Sequence, residues 1–251
     1  MNQFSEILPR NWGITAFLLS LVFLKAPLPS LAANAARFHL DYRTMIKKVR
    51  QTCLLIKLAL PEVCLFSYFQ FSLLLTHLLF QITAENRFCS WNHLAPSAII
   101  DTTKFQITQP HMSPWEYYIE RNAYGVKYEI VCSIGVPQII WVSGPWKGSA
   151  SDPTIAKHSG ILEVLGKDEM LLADKIYRGN SLNFLHPVSG HKLTYSQKTY
   201  NYLVYSARQS IERVIERLKI FGVFHIIWRY SLEFHKAVVI SCCKLESLSH
   251  L

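Results

Sequence analysis

Residues 137–179, PQIIWVSGPWKGSASDPTIAKHSGILEVLGKDEMLLADKIYRG, constrain the fold of this chain more than any other stretch. Residues 139–142 are an apolar, β-rich run that predicts a strand. Gly144 with Pro145 and Gly148 with Ser149 are expected to turn the chain. Asp152 then precedes Pro153, a residue tolerated in a first helical turn because the missing N–H has no partner there anyway. Asp152 therefore reads as the N-cap of a helix, and taken alone it is as well explained by capping as by chemistry. Residues 170–173 predict a short buried strand, with Asp174 just past its end. Acids beyond strand ends in an α/β sheet face the crevice where ligands bind.

Two further acids sit in comparable places. Asp101 lies within a strand-like run, after Ala98, Ile99 and Ile100 and before the alternation of residues 102–107. A carboxylate among apolar strand residues is costly unless something satisfies it, and a divalent cation is a natural partner. Residues 128–134 and 138–142 predict two more strands around the Gly135-Val136-Pro137 turn. Later, Ile211, Val214, Ile215 and Leu218 form one apolar stripe at i, i+3, i+4 and i+7, an amphipathic helix expected to pack on the sheet. Glu212 falls about 110° from the centre of that stripe and Glu216 about 150° away. Glu212 is thus the better placed to reach a site at the sheet edge, with Arg208 one turn earlier able to pair with it.

The segments AIIDTT (98–103), WVSGPWKGSASD (141–152), LLADKIYRG (171–179) and SIERVIERLK (210–219) resemble, in order, the DDE superfamily endonuclease domain of PIF/Harbinger-type transposases. The resemblance covers the chain from about residue 91 to its end. It implies an α/β fold, a ribonuclease-H-like mixed sheet with flanking helices, preceded by a small all-α, helix-turn-helix-like N-terminal region. The expected division is a helical region at 1–90, with the helix-turn-helix at about 31–56, and an endonuclease domain at 91–251. The implied catalytic and metal-binding triad is Asp101, Asp174 and Glu212, with Asp152 a fourth metal-binding acid that acts through water or orients its loop. Hard oxygen donors, without cysteine or histidine at ligand spacing, point to Mg²⁺ or Mn²⁺. The implied reaction is metal-dependent cleavage of DNA phosphodiester bonds followed by strand transfer. A separate DNA-binding accessory protein, an oligomer, and a location in the nucleus in a eukaryote or the cytoplasm otherwise go with that expectation; a membrane partner does not. Two departures from the family pattern bear on activity: IERNAY at 119–124 replaces a basic stretch ending in histidine, and Ile176 stands where glycine is usual.

Charge agrees with a polyanionic partner. The 251 residues carry a formal charge of +9, while half of them are hydrophobic and only 17% charged, which excludes a disordered chain. Lys147, Lys157, Lys175, Arg178, Lys192, Lys198 and Lys219, with Trp146, Tyr177 and Tyr195, either line a DNA groove or make an ordinary basic surface. His186 and His191 flank a Pro/Gly loop and read as loop residues rather than zinc ligands. The six cysteines show no C-x-x-C spacing, which leaves zinc ribbons unsupported and favours a reducing compartment.

The N-terminal third admits rival readings. The apolar run at 14–24, followed by small residues, reads as a secretory signal or as a buried helix. Residues 31–38, a turn at His39 and Leu40, and a helix capped by Asp41 suggest a helix-turn-helix; Arg43, Lys47, Lys48 and Arg50 on the second helix equally suit a solvated basic face. The 21 residues from 63 to 83 contain no Asp, Glu, Lys or Arg and are long enough to span a membrane, although scattered polar residues also suit a buried helix.

Overall fold

In a computed structural model, which describes residues 41–59, 96–120, 123–134, 138–165, 169–178 and 183–248, the sheet is built around one long strand, β1 (Pro96–Ile107). Its opening residues Ala98, Ile99 and Ile100 are fully or almost fully buried, as expected of an apolar run covered on both faces. Strands β2 (Tyr118–Glu120), β3 (Ala123–Ser133), β4 (Ile139–Lys147), β5 (Met170–Leu172) and β6 (Phe184–Leu185) complete six strands. They lie in the order β2-β3-β1-β5-β6, with β4 also paired to β3. β3 is antiparallel to β2 and β4, whereas β5 is parallel to both β1 and β6. The mixed α/β sheet is consistent with a ribonuclease-H-like fold.

β4 corrects an expectation. The chain does not turn at Gly144 and Pro145 but continues as a strand to Lys147, which pairs with Val126. The ladder absorbs the irregularity by a register shift on β3 between Lys127 and Glu129, the behaviour of a β-bulge. Gly144 has φ 149°, and a Cβ there would lie 2.6 Å from the Tyr128 ring and 2.9 Å from the Lys127 carbonyl oxygen. Glycine is thus required for β4 to lie against β3. The turn falls instead at Gly148 and Ser149.

Short helices α2 (Asp152–His158) and α3 (Ile161–Val164) follow. Ala156 and Ile161 join Ala98, Ile100, Val131, Ile140, Leu171, Ala173, Tyr177 and Phe184 in one buried cluster. A long helix, α4 (Tyr195–Lys219), carries the anticipated stripe: Ile211, Val214 and Leu218 are fully buried and Ile215 nearly so.

By contacts the chain forms two units: one made of the described residues up to 59 with 105–108 and 217–248, the other of 96–104 and 109–216. In the first, helix α1 (Tyr42–Ala59) packs on α5 (Leu232–Leu248), with Ser241 Oγ donating to the Cys53 carbonyl at 3.1 Å. Asp41 Oδ1 accepts from the Thr44 N–H at 3.0 Å, the cap that the sequence suggests. Trp228 is buried against Tyr230, Phe234 and His235, and its backbone exchanges hydrogen bonds with Thr108 and Gln106. Cys53, Cys132, Cys242 and Cys243 are buried free thiols.

Among the described residues no helix is long and apolar enough to cross a membrane. The apolar stretches at 14–24 and 63–83, and the first helix of the expected helix-turn-helix at 31–38, lie outside the described residues.

Candidate carboxylate site

Strand register places the first two acids. Ile99 stands opposite Leu172 in the parallel β1–β5 pair, and Asp101 and Asp174 each follow two residues later. Parallel strands advance together, so both carboxylates emerge from neighbouring strands at one level of the sheet. Asp101 Oδ1 accepts from the Thr102 N–H at 2.8 Å. Asp174 Oδ1 accepts from the Lys175 N–H at 2.6 Å and so caps a single 3₁₀ turn, Lys175–Tyr177.

Asp152 is not the cap of α2. Ser151 holds that place, its Oγ accepting from the Thr154 N–H, and Asp152 is the first helical residue. Its carboxylate is committed elsewhere: Lys127 Nζ donates to Asp152 Oδ1 at 2.9 Å and to the Ala150 carbonyl at 2.7 Å. Glu212, one turn beyond Arg208 on α4, is partly buried, while Glu216 is exposed. Arg208 links the acids. Its Nη1 lies 3.3 Å from Asp174 Oδ1 and its Nη2 lies 3.9 Å from Glu212 Oε1.

The charges of the acids reach one another. Burial pushes the Asp101 carboxyl up to about 6; the Thr102 N–H and the Arg208 charge oppose this, and the charges of Asp152 and Asp174 add to it. The buried Tyr177 phenol is pushed up by burial and then by the charges of Asp152, Glu129, Asp101 and Asp174. Among the described residues its oxygen has no hydrogen-bond partner. Four carboxyl groups therefore act on one buried hydroxyl, and Tyr177 belongs to the interior rather than to the basic groove in which the sequence suggested it. Glu212 joins the group through Arg208.

Glu129 and Lys127 were missed by sequence reasoning. Glu129 is fully buried on β3, and its Oε1 accepts from Trp141 Nε1 at 3.1 Å. Burial pushes this carboxyl up to about 7, the Ser159 and Trp141 hydrogen bonds oppose it, and the Asp152 charge adds to it. The available signal was two charges at i and i+2 inside the otherwise apolar GVKYEIVC, where a buried strand tolerates charge only with partners.

The donors suit a hard divalent cation in chemistry. Among the described residues, the hydrogen bonds that Asp101, Asp152 and Asp174 accept all fall on Oδ1, which leaves each Oδ2 for a ligand. The side chains as placed do not close on a common point: no group of three or more His, Cys, Asp or Glu among the described residues is arranged to hold a metal ion. His186 and His191 lie in a loop, the former with Nδ1 3.2 Å from the Pro187 carbonyl.

The family model described as DDE superfamily endonuclease matches residues 100–246, more than half of the chain. Neither a curated protein nor a solved structure matches it.

Proposed function

The chain belongs to the DDE superfamily endonuclease family, and from that premise we propose that it is a transposase-derived nuclease of the PIF/Harbinger type. In this reading it cleaves DNA phosphodiester bonds and transfers the strand, with Asp101, Asp174 and Glu212 as the catalytic acids. The observation that carries the reading is the register of β1 and β5, which sets Asp101 beside Asp174, together with Arg208 reaching from Asp174 to Glu212. Acids from two neighbouring strands and one helix thus share a neighbourhood.

Asp101 and Asp174 would hold a Mg²⁺ or Mn²⁺ ion, together with Glu212 from α4, and with Asp152 through water. Such an ion, when bound, supplies charge stabilisation and an activated oxygen nucleophile for in-line displacement at phosphorus. The protein's own contribution is positional. The strand register fixes the separation of two carboxylates, the Lys175 N–H orients Asp174, and Lys127 holds the Asp152 loop against β3. Exposed Lys157, Lys175, Arg178, Lys192 and Lys198 supply positive charge for the DNA backbone. Lys147 is already paired with Glu116 at 2.6 Å.

The helical region at 1–90 with a helix-turn-helix at 31–56, the endonuclease domain at 91–251, an accessory DNA-binding partner, oligomerisation and a nuclear or cytoplasmic location belong to the same proposal. A second reading is a DNA-binding protein that has lost catalysis. It is favoured by the two cations, Lys127 and Arg208, that are already paired with three of the four proposed metal-binding acids.

Incubation with supercoiled plasmid and Mn²⁺ separates the two. The nuclease reading predicts nicking by the wild type and none by Asp101→Asn or Asp174→Asn. Salt-dependent DNA binding with no nicking by the folded wild type would favour the second reading.

A further inference from the structure

Arg208 is an unusual neighbour for carboxylates that are to hold a cation. Its side chain is 13% exposed, and its Nε is buried without a hydrogen-bond partner among the described residues. A structural arginine that is this well covered normally makes a bidentate, fork-to-fork pair with one carboxylate. Arg208 instead spreads its charge over two acids on different elements, at 3.3 Å to Asp174 and 3.9 Å to Glu212, the second beyond hydrogen-bond length. Its charge also reaches Asp101. The three acids that Arg208 acts on are the same three proposed as the catalytic set, whereas Asp152 has its own cation in Lys127 at 2.9 Å.

We propose that Arg208 is the built-in counter-cation of this site: its guanidinium holds Asp174 and Glu212 together, and a divalent ion binds only as the guanidinium swings aside. The inference rests on the proposed metal-binding role of Asp101, Asp174 and Glu212. Two cations competing for the same oxygens repel one another, so the arginine sets a threshold on ion affinity. Its contacts are loose, so withdrawal breaks no bidentate geometry. Arg208 is therefore a positioning residue that keeps mutually repelling carboxylates folded into place until the ion arrives.

Mn²⁺ titration calorimetry on the full chain tests this with Arg208→Gln and Arg208→Lys beside the wild type. Arg208→Gln is expected to bind Mn²⁺ about tenfold or more tightly than wild type, and Arg208→Lys, which keeps the charge, to stay near wild type. If wild type binds and Arg208→Gln binds no more tightly, the counter-cation role is overturned while the metal-site reading stands. If neither folded protein binds Mn²⁺, the metal-site reading fails and this inference with it.

A variant-free measurement covers the case in which Arg208→Gln does not fold. Exchange of the arginine Nε–H with solvent, followed by NMR in the unsubstituted protein, should quicken at Arg208 on addition of Mg²⁺. Exchange that stays slow at saturating Mg²⁺ would overturn the proposal.

Discussion

Lys127 Nζ stands 2.9 Å from Asp152 Oδ1, joining the middle of β3 to the first residue of α2 across 25 positions of sequence. Both side chains are largely covered, at 11% and 17% exposure. Loss of one partner leaves the other as an uncompensated charge, the costly way to break a covered ion pair. Lys127→Met is expected to destabilise the protein by about 3 kcal/mol in denaturant unfolding. The double substitution Lys127→Met, Asp152→Asn should recover much of that. A single substitution with no effect would mean that the pair is not formed in solution.

Glu129 gives stability a pH dependence of unusual sign. Its carboxyl is pushed up to about 7 from an ordinary 4.5, so between those values the native state binds more protons than the unfolded chain. Stability therefore falls as pH rises from about 4.5 to about 7. Glu129→Gln retains the neutral shape and should be the more stable protein at pH 8, by on the order of 1–3 kcal/mol. It should also flatten this part of the profile. Equal stability of the two at pH 8 would show that Glu129 carries its charge at little cost.

His235 acts in the opposite direction. Burial lowers it to about 4 from an ordinary 6.5, so the unfolded chain binds the extra proton in that window. Its contribution is complete above about 6.5 and is lost as pH falls toward 4. His235→Phe keeps a ring against Phe105 and Trp228, whose centroids lie 5.7 Å and 4.8 Å away, and should remove this acid-side loss in a pH series of melting curves. An unchanged acid limb would place its cause elsewhere.

Gly148 marks the true end of β4. A Cβ at this position would meet Ile119 Cγ2 at 2.5 Å and the carbonyl oxygens of Gly125 and Tyr117 at 2.6 Å each. Two of these three atoms are backbone, which cannot rotate away. Gly148→Ala is expected to cost about 1–3 kcal/mol, the range for overpacking a closed site, as measured by thermal or denaturant unfolding. A neutral substitution would contradict the close approach of these three strands.

The acids were legible in the sequence to different degrees. Asp101 could be placed inside a strand and Asp174 just past one because apolar runs mark the strands, and the preference of Glu212 over Glu216 followed from helical angle. Ser151 and Asp152 are both good capping residues; Ser151 caps, and the Asp152 carboxylate accepts from Lys127 instead. Gly144-Pro145 read as a turn because local propensity cannot see that β3 lies alongside to hold the strand extended. Arg208 was seen as a neighbour of Glu212 at i, i+4, but its contact with Asp174 spans 34 positions and has no local signature. Glu129 and Lys127 were visible as charges in an apolar strand, a pattern that marks interior polar chemistry before its partners are known.

The central claim is that Asp101 and Asp174 share one divalent cation, and Mn²⁺ titration calorimetry of the full chain tests it most directly, with Asp101→Asn and Asp174→Asn as controls. The account predicts saturable binding by the wild type that each substitution abolishes while the fold is retained. Heat-silent titration of a folded wild type, or binding that survives both substitutions, would contradict it.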